Sequence, residues 1–154
     1  MFALQLTREA DYAVLCVLEV ARFGRMSAAE VARRQQISPA FLGKIVGSLA
    51  KAGVLTTRRG VGGGIDLGRP AESLTLLEVV EAVQGPFAIN QCLIHSGSCD
   101  RQSGCYVYPL WVKAQHDMKA ALNVSIAEVM ANGDRQHGHA TGNGQVEIKG
   151  AAVK

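Results

Sequence analysis

Three of the chain's four cysteines fall within one short stretch, Cys92 to Cys105, which reads CLIHSGSCDRQSGC. Six residues separate Cys92 from Cys99, and five separate Cys99 from Cys105. The residues between them include Ser96, Gly97, Ser98, Asp100, Arg101, Gln102, Ser103 and Gly104, turn-forming or hydrated types that cannot fold around an apolar core. Order in such a loop must come from another source. Three thiolates converging from one loop suit a soft metal, and an odd count leaves one coordination position for a further group. Zinc would draw on the same thiolates, and a metal-free thiol sensor would use them directly through sulfenic acid or disulfides.

Length and composition narrow the setting. At 154 residues the chain suits one compact domain, or a small domain with an oligomerisation arm. Hydrophobic residues make up 48% of it and aromatic residues only 5%, so the core must be built from Ala, Val, Leu and Ile. The opening MFALQLTREADYAV lacks the basic start, apolar block and cleavage site of a signal peptide, and no apolar run approaches the ~20 residues of a membrane span. The expected location is cytoplasmic, where clustered cysteines point to metal or redox chemistry more than to structural disulfides. The formal charge of +3 divides unevenly: residues 1–69 carry ten Lys and Arg against five Asp and Glu, residues 70–154 six against eight. A basic first half suits an anionic partner, although a solvated charged face would give the same count.

Apolar residues at spacings of three and four, Ala10, Ala13, Val14, Val17, Leu18 and Ala21, predict a helix over about Arg8 to Phe23, with Cys16 as a small core residue. Ser27 and Glu30 stand at the spacing of a reciprocal capping box, which opens a short helix to about Gln35. Ser38 and Pro39 open another, with Phe41, Leu42, Ile45, Leu49 and Ala52 inward. Its other face carries Ala40, Gly43, Lys44, Gly47, Ser48 and Lys51, small residues for close approach and polar ones for phosphates and base edges. Two short helices joined by a tight turn describe a helix-turn-helix. After Gly53, the segment Val54 to Arg59, the glycine-rich Gly60 to Gly64 and the return Ile65 to Leu67 predict a β-hairpin with Arg58 and Arg59 at its shoulder. Directly after a helix-turn-helix, such a hairpin is a wing that enters a minor groove or clamps phosphates.

Thr75 and Glu78 form a second capping box, opening a helix through Val79, Val80, Ala82 and Val83 that stops near Gly85 and Pro86. Beyond the cysteine loop, Pro109 starts a helix with Leu110, Trp111, Ala114, Met118, Ala121 and Leu122 on one stripe, the expected dimerisation face. Ser125 and Glu128 cap one last short turn, and the glycine-rich segment from Asn132, with His137 and His139, is expected to be a disordered tail. The fold class is thus mainly α with a small β-hairpin wing, divided into a winged helix-turn-helix domain (1–84), a cysteine loop (85–108), a dimerisation helix with a short final helix (109–131) and a tail (132–154). No nucleophile-base-orienter set, nucleotide loop or paired-carboxylate motif is present, so neither an enzyme nor a small-molecule substrate is expected.

The opening LTREADYAV, the Ile37-Ser38 helix start, Arg59-Gly60-Val61-Gly62-Gly63-Gly64 and the three-cysteine loop together resemble the iron-sulfur winged-helix regulators that include IscR, NsrR and RirA. The resemblance covers roughly residues 4–130 in the same order. It implies a homodimeric transcription factor, a repressor by expectation, whose cluster state alters its affinity for a double-stranded operator. On this reading Cys92, Cys99 and Cys105 hold an iron-sulfur cluster, either 4Fe-4S or 2Fe-2S. The helix from Ser38, Pro39 and Ala40 through Lys44, Ser48 and Lys51 reads the major groove, and Arg58, Arg59 and Gly60 belong to the wing. IscR-like proteins place a histidine three residues after the third cysteine, where this chain has Tyr108. NsrR-like proteins use an aspartate of the other subunit near the start of the first helix, and Asp11 matches that place, with Glu9, His95, a small thiol or water as rivals. The first cysteine gap is one residue longer than in the IscR and NsrR types and one shorter than in RirA types. Residues 68–73, GRPAES, are most similar to the RirA type, so the signal stays open between iron, nitric oxide, oxygen and cluster supply.

Overall fold

The computed structural model describes residues 6–95, 97 and 99–138. Helix α1 (Arg8–Phe23) is the hub, with Ala10, Ala13, Cys16, Val17 and Val20 fully buried. Their small side chains let α2 (Ala28–Gln35), α3 (Pro39–Lys51) and α4 (Leu76–Gln84) approach it closely, and all three pack against it. Leu42, Ile45, Val46 and Leu49 of α3, Val31 of α2 and Val79 of α4 complete one aliphatic core. Phe41 only lines that core, and Ala52 is exposed as the residue after α3.

Side-chain caps set the helix starts. Thr7, Ser27 and Ser38 each accept a hydrogen bond from the backbone N–H three residues on, at 3.1, 3.1 and 3.2 Å. The expected box at Ser27 is only half made, because Glu30 turns along α2 to hold Arg34 at 3.1 Å. The box at Thr75 and Glu78 is complete, and the carboxyl of Glu78 is held below its ordinary range chiefly by the backbone N–H of Thr75. Between α2 and α3 the chain turns at Gln36, which adopts a left-handed φ of 54° without being glycine. The Ile37 N–H then donates to Ala32 O at 3.0 Å, and this closes the helix-turn-helix corner.

Strands β1 (Leu55–Arg58) and β2 (Gly64–Leu67) pair antiparallel, with Leu55 opposite Leu67 and Arg58 opposite Gly64. Leu55 and Ile65 root the hairpin in the core. Met26, in the link between α1 and α2, exchanges two backbone hydrogen bonds with Ile65, at 3.1 and 2.7 Å, and so serves as a one-residue third strand. Gly63 at the tip has no room for a side chain, since a Cβ there would stand 2.3 Å from Arg58 O.

Beyond α4 the chain passes through two 3-10 turns, Gln91–Leu93 and Gln102–Gly104, into α5 (Tyr108–Leu122), which begins one residue before Pro109. It ends in α6 (Ile126–Gly138). This last helix is longer than the expected single turn, and it extends through 132–138, where a tail was expected. His139 and the rest of the expected tail lie outside the described residues. Ile126 is fully buried, its N–H donates to Leu74 O at 2.8 Å, and Arg22 of α1 reaches Asp134 at 3.6 Å, so α6 folds back on the core. No helix among the described residues is long and apolar enough to cross a membrane.

Ile126→Ala should therefore lower unfolding free energy by about 2–5 kcal/mol, the cost of a large-to-small change in a packed core. Urea denaturation at fixed protein concentration reads this loss, whereas a detached terminal turn would give none.

Candidate nucleic-acid interface and metal centre

The N-cap bond of Ser38 and the ring of Pro39 fix where α3 begins. From that start Ala40, Gly43, Lys44, Gly47 and Lys51 are exposed on α3 and Ser48 is half-exposed. A Cβ built on Gly43 or Gly47 meets nothing within 4 Å, so the chain's own packing does not require glycine there. Lys44 is not a free cation: its Nζ lies 2.6 Å from Glu9 Oε1 on α1. Lys51, Arg58 and Arg59 are exposed and make no ion pair with the described residues. Gly60 and Val61 carry the wing tip outward, with Val61 wholly exposed. Serine, lysine and glycine along one helix, followed by two unpaired arginines on a hairpin, form a surface suited to phosphates and groove floors.

Sequence reasoning missed the partner of Lys44. It lies 35 residues away, and no local pattern announces such a contact.

The cysteine loop is shaped, although not by an apolar core. Asn90 Oδ1 accepts from the Gln91 N–H at 2.9 Å, the Gln102 N–H donates to Cys99 O at 3.1 Å, and Gln102 Oε1 accepts from the Gly97 N–H at 3.0 Å. Cys92, Cys99 and Cys105 are free thiols, each half-buried. Among the described residues, however, no three of His, Cys, Asp and Glu are gathered closely enough to hold a metal ion, so the structure does not bring Cys92, Cys99, Cys105 and Asp11 together within one chain. Ser96 and Ser98 lie outside the described residues. The donor set suits a soft metal in kind, and the loop must close around one to bind it.

Cys92 opens on a cavity of about 390 Å³, lined also by Leu93, Tyr108, Val112, Gln115, His116 and Lys119. Lys119 pairs with Glu81 at 3.1 Å. Asp11 is exposed in the first turn of α1 and is not part of that cavity, His95 is exposed, and Glu9 is held by Lys44. Cys16 differs from the other three cysteines. It is fully buried, and burial, with the charge of Glu19 adding to it, pushes its thiol up to about 12.

The apolar stripe of α5 divides. Met118 and Leu122 pack on the chain's own cluster of Ala10, Val80 and Phe87, Ala114 is half-buried and Ala121 is exposed. Leu110 is 65% exposed and Trp111 41%, beside Tyr106, Val107 and Val112, also exposed. Exposed apolar groups gathered at one helix start form a candidate interaction surface.

The family described as Rrf2, iron-dependent transcriptional regulator, matches residues 6–132. The transcriptional regulator IscR of Citrobacter koseri is 32% identical over 146 residues, covering 88% of this chain and 89% of that protein. A putative helix-turn-helix regulator of Azotobacter vinelandii, ORF2, is 30% identical over 86% of this chain and 83% of its own length. Among solved structures, T. potens IscR superposes with a TM-score of 0.68 at 18% identity, covering 94% of this chain and 95% of that one. CymR, the global cysteine regulator of B. subtilis, also gives 0.68 at 19% identity, over 86% of this chain and 98% of its own. Both likenesses extend to the fold, a six-helix chain with a two-stranded wing.

Brief alkylation of the native, metal-free chain near pH 8 should modify Cys92, Cys99 and Cys105 and spare Cys16, since the thiolate is the reacting form. Peptide mass mapping reads the result, and rapid labelling of Cys16 in folded protein would contradict its burial.

Proposed function

Because the chain belongs to the Rrf2 family and is a DNA-binding transcriptional regulator, not an enzyme, we propose that it acts as a cytoplasmic homodimeric repressor whose grip on its operator is set by an iron-sulfur cluster on Cys92, Cys99 and Cys105. The observation carrying this reading is the order of parts along the chain. Three free thiols stand on a hydrated loop between the winged unit and the exposed apolar start of α5. A change in that loop acts on the element that joins two copies and thereby on the spacing of two recognition helices, which must match half-sites about one helical turn apart.

On this reading α3 enters the major groove with Ser48, Lys51 and the backbone at Ala40, Gly43 and Gly47, while Arg58, Arg59 and Gly60 reach the minor groove or its phosphates. Leu110 and Trp111 meet the second copy first and Ala114 extends the contact along α5, while Met118 and Leu122, packed on their own chain, hold the helix in place behind it. Asp11, contributed by the second copy, is the fourth ligand in this proposal; it is exposed and makes no hydrogen bond or ion pair through its side chain with the described residues. When bound, the cluster supplies a redox-responsive cross-link among the thiolates, in the 4Fe-4S or 2Fe-2S form. Glu9 stands two residues before Asp11 and holds Lys44, so a pull on the first turn of α1 reaches the recognition helix directly.

A second reading is a metal-free thiol switch. It is favoured by three free, half-buried thiols on one loop, two of which peroxide could join as a disulfide with release of water.

Oxygen-free purification should yield a coloured protein with iron and sulfide, and Cys92→Ala should lose both. Operator affinity at fixed salt should then differ between the two by about one to two orders of magnitude, corresponding to a coupling of ~1–3 kcal/mol. Equal affinities would remove the sensing claim. A colourless, iron-free protein whose affinity responds to peroxide and thiol reductant would install the thiol switch in its place.

A further inference from the structure

The wing has little to hold it still. Two four-residue strands form a ladder that is marginal by itself in water. Its roots are secure, since Leu55 and Ile65 are buried and Met26 binds Ile65 through the backbone. Its tip is different. Within the tip, the Gly63 N–H donates to Gly60 O at 3.0 Å, and Val61 touches nothing.

Arg25 spans this gap. It lies in the link between α1 and α2, and its Nε donates to Asp66 Oδ2 on β2 at 2.6 Å. One terminal nitrogen reaches onward to Gly62 O at the tip, at 3.4 Å. Its aliphatic stem covers Gly64, where a Cβ would come within 3.1 Å of Arg25 Cγ and 2.6 Å of Met26 O. Among the described residues Arg25 is the one side chain outside the hairpin that hydrogen-bonds its tip. The ion pair also has an electrostatic consequence. Asp66 cancels the charge of Arg25, so a guanidinium can brace the hairpin without adding a third positive charge beside Arg58 and Arg59, and Asp66 itself presents no net repulsion to phosphate.

We propose that Arg25 is a positioning residue for DNA recognition: bonded to Asp66 and reaching the Gly62 carbonyl, it fixes the wing tip so that Arg59 meets the groove already aligned. The proposal rests on the wing reading given above. Its physical basis is preorganisation, since a tip ordered before binding does not lose that freedom on the DNA. An exposed ion pair of this kind contributes little to overall stability, so the effect falls on binding and not on folding.

The test removes the brace without changing net charge, by combining Arg25→Ala with Asp66→Ala. Three quantities are measured on full-length protein: NMR order parameters of Gly60 to Gly64, unfolding temperature, and operator affinity across a salt series. Expected are lower tip order, an unchanged unfolding temperature, and affinity reduced about five- to tenfold with the same salt slope, because no phosphate contact is lost. The reversed pair, Arg25→Asp with Asp66→Arg, should recover part of the order and part of the affinity. Arg59→Ala serves as the reference and should lower both the affinity and the slope, the latter by about one. Unchanged tip order in the double variant overturns the brace, and a reduced salt slope would show Arg25 to be an ordinary phosphate contact. Lost order with full affinity overturns the positioning role while Arg59→Ala still weakens binding; if Arg59→Ala is silent too, the wing does not read DNA and both proposals fall together.

Discussion

Every part of the winged unit leans on the buried side of α1, and the chemistry of that side is smallness. Ala10, Ala13 and Cys16 leave room for α4 and α3 to come close, and Val17 and Val20 fill what remains. With eight aromatic residues in all, and Phe87 the one buried ring among the described residues, the core has few large rings to space its helices apart and relies on tight aliphatic contact. That closeness has a structural result. The first turn of α1 lies within ion-pair distance of α3, and the link after α1 lies within backbone hydrogen-bond distance of the wing. One helix therefore sets the position of both α3 and the wing.

The parts legible in the sequence were those whose causes are local. The apolar spacing of α1, Ser38, Pro39, Gly53 and the Thr75–Glu78 box each act within four residues, so α1, α3, the wing and α4 could be bounded from the sequence alone. Contacts across long separations left no trace there. Arg25 and Asp66 are 41 residues apart, Glu9 and Lys44 35, and the Met26 bridge to Ile65 uses only backbone, to which sequence patterns are blind. The turn at Gln36 was hidden for another reason, since its left-handed backbone is one that glycine usually announces. The last helix was underestimated because Gly133 and the glycines beyond it lower intrinsic helix propensity, whereas the anchoring of Ile126 beside Leu74 is tertiary.

The cysteine loop and the start of α5 belong to one problem. The loop satisfies its backbone through side chains such as Asn90 and Gln102, yet among the described residues it gathers no three metal-binding groups, and the helix that follows it leaves Leu110 and Trp111 in water. Neither feature is favourable in an isolated chain: exposed large apolar groups oppose solubility, and a hydrated loop of this length carries a substantial ordering cost. Under the proposed function, both would be relieved by additions at the same place, a second copy over α5 and a soft ligand among the thiols. The α5 stripe and the cysteine spacing were legible in sequence, but the division of the stripe was not, because Met118 and Leu122 turn inward against Ala10, Val80 and Phe87, all distant from them in the chain.

Lys44 shows why the charge of a recognition helix cannot be counted from composition. In the free chain its ammonium is matched by Glu9, an exposed pair of the sort that contributes roughly 0–1 kcal/mol. Under the proposed function, a DNA phosphate would compete with Glu9 for this ammonium and would add the entropy of released counterions, so the exchange would favour the duplex. A strong, buried Glu9–Lys44 pair would oppose that exchange, whereas a solvent-exposed one opposes it little. The contact ties Lys44 to the first turn of α1, the turn that also carries Asp11.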